Sequence, residues 1–216
     1  MKTNINAQNL INKEYPIRLR SKFVPMVRRA YSAIDQLITE NEVLNWSVAD
    51  NLVGNLINTA VEFEFKRMID KGDLKLEYNV SFNKRKNHKH IELISQNTIS
   101  TISQVKNKYS VPRKAIFRNN LSCSNQLMFD IYDNSLNFKE SPKYILLTHG
   151  GKNGNVDFLN LGMPQPYNKG WIYCFDLFSE FEQISNEQYE AQNNEEEIVE
   201  LKDNIRLEVL KGGRKK

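Results

Sequence analysis

Cysteine, histidine, proline and glycine are scarce in this chain of 216 residues, with 2 Cys, 3 His, 6 Pro and 9 Gly. Two cysteines, Cys123 and Cys174, cannot build a disulfide framework. Both read as buried thiols in a reduced compartment. Little proline or glycine, beside 11 Phe and 9 Tyr, excludes a low-complexity or collagen-like chain. No apolar run approaches the roughly 20 residues that cross a bilayer. Residues 1–18 lack the apolar segment, roughly 7–15 residues long, of a secretory signal. The expectation is a cytoplasmic protein with no membrane contact. There is no CxxC, HExxH, GxSxG or GxGxxG, so the common zinc, hydrolase and dinucleotide signatures are absent.

Charge is present in quantity, and it is sorted. Between Ser81 and Arg118 stand nine Lys/Arg and one acid, Glu92. Between Asp176 and Glu200 stand nine Asp/Glu and no Lys/Arg. A net charge of +4 therefore conceals two opposed blocks, which set up strong local fields. The 27 Asn and the excess of Lys over Arg are the mark of AT-rich coding, which suggests a bacterial or phage-type source.

The length suits one domain with tails. Residues 1–15 are polar and read as loose, so the domain is expected over 16–178. From Val24 an apolar stripe through Met26, Val27, Ala30, Tyr31, Ile34, Leu37 and Ile38 predicts a helix, with Pro25 in its first turn. A second stripe, Leu52 to Val61, follows a Ser47–Asp50 capping-box spacing and stops at Gly72. Then the period changes. Leu74, Leu76, Tyr78, Val80 and Phe82 alternate with polar residues, which predicts a strand with one buried face. His90–Ile94 is its expected hairpin partner. Thr98–Val105 fits a strand or a helix. Later strands are expected at Gln126–Tyr132, Tyr144–Thr148, Val156–Leu161 and Trp171–Phe175. The stretch His149–Gly154 is not a phosphate-binding P-loop; it reads as a hairpin turn, with Asn153-Gly154 as the reversal. Segment 179–216 is acidic, with a short strand expected at Ile205–Val209 and a basic tail. Helices first and strands after define an α+β fold, with N-terminal helices packed against a mostly antiparallel sheet.

Three constellations bear on function. Lys84, Arg85, Lys86 and Lys89 crowd one hairpin tip, and Tyr109, Arg113, Lys114, Phe117 and Arg118 form a second cluster. If Arg113–Arg118 is helical, Lys114 and Arg118 share a face. Cations so placed neutralise phosphates and release condensed counterions, which gives sequence-independent affinity for nucleic acid; Asn87, Asn119 and Asn120 can add polar contacts. Second, His88, His90 and Glu92 point to one side of a strand. They form a ligand set for a divalent metal, with His149 and the carboxylates Asp130, Asp133 and Asp157 in reserve. A metal-dependent nuclease or phosphodiesterase is the alternative this pattern raises. Third, the acidic segment resembles a polyanion that covers the chain's own basic patch or enters another protein's DNA-binding channel. That is the pattern of a non-catalytic inhibitor or antitoxin-like module with a protein partner. The leading expectation is a nucleic-acid-binding protein.

Overall fold

A computed structural model describes residues 2–83, 86–130, 135–138, 141–181, 201–202 and 204. The chain opens with α1 (Lys2–Glu14), α2 (Ile17–Arg20), α3 (Phe23–Thr39) and α4 (Asp50–Asp70). It continues through β1 (Glu77–Phe82), β2 (Lys89–Ile94) and β3 (Thr98–Gln104). A long connection carries α5 (Ile116–Ser122) and a separate hairpin of β4 (Leu127–Asp130) and β5 (Ser135–Phe138). Last come β6 (Lys143–Lys152), β7 (Asn155–Pro164), β8 (Trp171–Asp176) and α6 (Leu177–Phe181). The main sheet runs β1-β2-β3-β6-β7-β8. Its neighbours are antiparallel except β3 and β6. The fold is α+β, with the N-terminal helices against a mostly antiparallel sheet.

The helix stripes do bury. Met26, Val27, Ala30, Tyr31 and Ile34 of α3 and Ile57, Ala60, Val61 and Phe65 of α4 pack onto Ile91, Leu93, Ile102, Ile145 and Leu147 of the sheet. This apolar contact is the main drive for the layer arrangement. Between the two helices lies a buried charge cluster. Arg29 donates to Glu64 Oε1 at 2.9 and 2.7 Å, and Arg67 Nε donates to Glu64 Oε2 at 2.8 Å. At the end of α4, Gly72 takes φ +79°, with Asp73 N–H bonded to Met68 and Gly72 N–H to Ile69. Glycine occupies that left-handed position without a Cβ penalty. Asn153 and Gly154 both have positive φ, and they reverse the chain between β6 and β7 as a two-residue hairpin turn.

Four expectations need correction. Residues 1–15 are not loose: α1 is a helix, and Ala7, Ile11 and Tyr15 are fully buried. Those residues recur every four positions, a stripe one residue wide that a polar composition hides. Tyr15 Oη pairs with Thr98 Oγ1 and Ser100 Oγ at 3.0 Å each, and the core therefore begins upstream of residue 16. The capping box at Ser47 does not form. Ser47–Ala49 is a 3₁₀ turn, and α4 starts at Asp50 with no side-chain cap. Lys114 and Arg118 do not share a helix, since Ala115 is extended and α5 begins at Ile116. The strand expected from Leu74 begins only at Glu77: Leu74 and Leu76 are buried ahead of β1, and within it Val80 and Phe82 are half exposed. β1 is one of the two edge strands of the main sheet. Asp133, segments 182–200 and 205–216, and the expected strand at Ile205–Val209 lie outside the described residues.

Candidate nucleic-acid interface

The helices cover one face of the sheet. The other is crossed by the connection that leaves β3 and returns to β6. Polar anchors hold this connection down. Asn125 Nδ2 donates to the carbonyls of Tyr144 and Pro164, at 2.8 and 2.9 Å, while its Oδ1 accepts Tyr144 N–H. Asn160 Nδ2 donates to the Lys108 carbonyl, and Lys108 pairs with Asp176. Asn168 Nδ2 reaches the Pro112 carbonyl at 2.8 Å, and Trp171 Nε1 reaches that of Tyr109 at 3.2 Å. A loop without ladder partners needs such bonds, because a buried unpaired amide costs more than the bond itself contributes.

This connection brings the two basic stretches together. The Phe117 ring of α5 stacks on His90 of β2, centroids 4.0 Å apart and planes 25° from parallel. The start of β2, where Lys89 stands, therefore lies against α5, which begins two residues after Lys114. Lys86, Lys89, Arg113 and Lys114 are all exposed. Among the described residues none of the four forms a salt bridge. Lys89 Nζ sits 5.2 Å over the Phe82 ring, a contact that leaves the charge available. Lys84 and Arg85 lie outside the described residues. Arg118 turns inward. Its guanidinium lies 4.8 Å over Phe117, and Nη1 donates to the Arg113 carbonyl at 3.0 Å.

Beneath Arg118 the sheet changes character. β2 and β3 pair over Glu92–Ile94 and Ile99–Thr101, and each strand then continues without a paired register. Two residues of α4, one turn apart, supply the missing bonds. Asn58 Oδ1 accepts Gln104 N–H at 3.1 Å, and Asn58 Nδ2 donates to Glu62 at 2.9 Å. Glu62 accepts the backbone N–H of Ile91. Burial pushes the Glu62 carboxyl up to about 7, against the pull of Ile91, Asn58 and the Arg118 charge. On the crossover face, Ser81 sits opposite His90, Ser103 beside Thr148, Thr148 opposite Asn160 and Asn160 opposite Asp176. A row of polar side chains thus runs across the sheet. Among the described residues His90 Nδ1, Ser103 Oγ, Thr148 Oγ1, Arg118 Nε and Asn119 Oδ1 are buried with no hydrogen-bond partner. Buried polar atoms of this kind belong against water or a ligand.

Glu62 has a testable consequence. Its folded pKa lies above the ordinary 4.5, so the folded state holds a proton that the unfolded chain has released. Stability is then lost as pH rises from about 4.5 through about 7, because the unfolded state binds fewer protons. A Glu62→Gln variant has no carboxyl to ionise and removes this loss. Urea unfolding is expected to show the variant about 3 kcal/mol more stable than wild type at pH 8, with little difference at pH 4.5. A gain that is equal at both pH values would mean that charge is not its source.

The histidines are arranged differently from the metal set the sequence suggested. His90 Nε2 and Glu92 Oε1 are 3.4 Å apart, and the His88 ring lies parallel to His90 at 6.4 Å. Burial lowers the pKa of His90, partly offset by Glu92. His149 is on the helix side, fully buried, with Nδ1 2.9 Å from Tyr31 Oη. It does not join His88, His90 and Glu92, which lie across the sheet. Burial lowers the His149 pKa to about 3, so the ring stays neutral. Among the described residues no group of three or more His, Cys, Asp or Glu is placed to hold a metal ion. Burial pushes the Cys174 thiol up to about 12, which disfavours the thiolate that a nucleophile needs.

Several residues that shape this region were not legible as such. Asn58 and Glu62 sit on the flank of a core helix, and only the strand gap gives them a task. Tyr167, Lys169 and Trp171 lie far in sequence from the basic clusters, and polar tethers alone bring them close. Compared with known proteins, the chain matches no family model, no curated protein and no solved structure. Among the described residues no helix is long and apolar enough to cross a membrane.

Proposed function

We propose that this protein binds nucleic acid through its phosphate backbone. One observation carries the reading: the His90–Phe117 stack joins the two basic stretches, and Lys86, Lys89, Arg113 and Lys114 stand exposed there without salt bridges among the described residues. Cations left unpaired on one side of a molecule focus a positive field. They bind polyanions by releasing counterions, with affinity that falls steeply as salt rises. The polar row beneath the crossover is buried, so the reading assigns contact to the surface and not to a catalytic pocket.

The test is a titration of the full chain with fluorescent duplex and single-stranded oligonucleotides, from about 50 to 300 mM salt. If each of the four cations neutralises one phosphate, log affinity for duplex falls with log salt at a slope of about −3.6. Added Mg²⁺ should weaken binding by competition and produce no cleavage. A slope near zero, or no binding at 50 mM salt, would overturn the reading in favour of a protein partner for the same surface.

A further inference from the structure

The turn after β7 holds a tyrosine where glycine would be easier. Tyr167 has φ +60° and ψ 22°, and Asn168 has φ +54°. Left-handed backbone is uncommon for any residue with a Cβ; asparagine tolerates it, and a bulky aromatic does so less readily. Such strain persists only where the surroundings impose it, and it tends to mark function. Here the surroundings are specific. Gln165 N–H bonds the Gly170 carbonyl at 2.7 Å, and Asn168 N–H bonds that of Gln165 at 2.9 Å. Asn168, 3% exposed, anchors to Pro112. The outcome is a Tyr167 that is 53% exposed. Its side chain is held at a fixed backbone yet adds nothing to the apolar core.

The same tethers place a second exposed ring nearby. Tyr109 is 81% exposed. It stands three residues before Pro112, with its N–H on Asn107 Oδ1 and its carbonyl on Trp171 Nε1. Arg113 and Lys114 follow Pro112, and Lys169 follows Asn168, all three exposed. Two exposed aromatics and three exposed cations therefore stand on two segments that these bonds tie together.

We propose that Tyr109 and Tyr167 form a stacking platform for unpaired bases of single-stranded DNA or RNA, with Arg113, Lys114 and Lys169 on the intervening phosphates. The proposal rests on the nucleic-acid reading above and names its substrate class. A duplex keeps its base faces inside the helical stack, whereas a single strand offers them to aromatic rings regardless of sequence. The chemistry is shared by DNA and RNA, so both must be measured.

Oligomers of deoxyuridine and of uridine, about 12 nucleotides long, are titrated against wild type and the variants Tyr109→Ala, Tyr167→Gly and Tyr167→Phe. Each ring deletion is expected to lower single-strand affinity about 5- to 150-fold. Tyr167→Phe should bind as wild type, and duplex affinity should stay within about twofold throughout. Glycine accepts φ +60° freely, so Tyr167→Gly should melt no lower than wild type while it loses binding. That separates a lost ring from a lost fold. A loss in both oligomers assigns the platform to bases alone; a loss in one assigns its sugar as well. Single-strand binding unchanged in Tyr109→Ala and Tyr167→Gly, with salt-dependent duplex binding intact, overturns the platform and leaves the backbone reading standing. Wild type that binds no oligonucleotide overturns both.

Discussion

Changing Lys86, Lys89, Arg113 and Lys114 together to alanine is expected to lower duplex affinity about a thousandfold near 0.15 M salt. The figure follows from counterion release. Each neutralised phosphate contributes roughly 0.9 of a power of the salt concentration. Four of them at ~0.15 M give about three orders of magnitude, and one alone gives about fivefold. All four side chains are exposed, so the fold should be indifferent to their loss, and the melting temperature is the control. The quadruple variant should also lose nearly all of the salt dependence. A drop of less than about tenfold would mean that the cations face solvent without a shared partner. Arg118 is left out on purpose. Its guanidinium is half-buried against Phe117 and feels the Glu62 carboxyl and the Tyr144 hydroxyl, so its removal would disturb packing as well as charge.

The largest effect on stability is expected at Glu64. Its side chain is fully buried between α3 and α4, where both oxygens accept from Arg29 and Arg67. Taking charges out of water is costly, and only close pairing with good geometry offsets that cost. Glu64→Ala removes the shared carboxylate from two buried guanidiniums. It should destabilise the protein by about 3–5 kcal/mol, enough to unfold a domain of ordinary stability. Glu64→Gln keeps the shape without the charge and should recover only part of the loss. Urea unfolding at neutral pH measures both. A cost below about 1 kcal/mol for the alanine variant would imply that water screens the cluster.

Local patterns in the sequence reached far into the fold. The alternation from Leu74 to Phe82 marks an extended segment, and its second part, Glu77–Phe82, pairs with β2. Gly72 and Asn153-Gly154 mark places where the backbone must turn left-handed, so their identity alone predicts a stop and a reversal. The wide apolar stripes of α3 and α4 are equally plain, because a helix that buries one face repeats at its own pitch. The narrow stripe of Ala7, Ile11 and Tyr15 escaped notice. Four apolar residues, Ile5, Ala7, Leu10 and Ile11, among the thirteen of α1 leave its composition dominated by polar residues.

The candidate interface divides in the same way. The sequence by itself determined that cations gather over Ser81–Arg118, and that two helices precede a run of strands. Both are properties of neighbours along the chain. Only the tertiary structure decided that Phe117 meets His90, that Asn58 and Glu62 fill the gap between β2 and β3, and that Asn168 and Trp171 tie the turn of Tyr167 to the segment of Tyr109. Those contacts join residues 27 to 62 positions apart. They depend on strand order and on the face the β3–β6 crossover takes, which are set by the summed packing of the whole core. No short window of residue types carries that information, so periodicity can tell which face of an element is buried but not what lies against it.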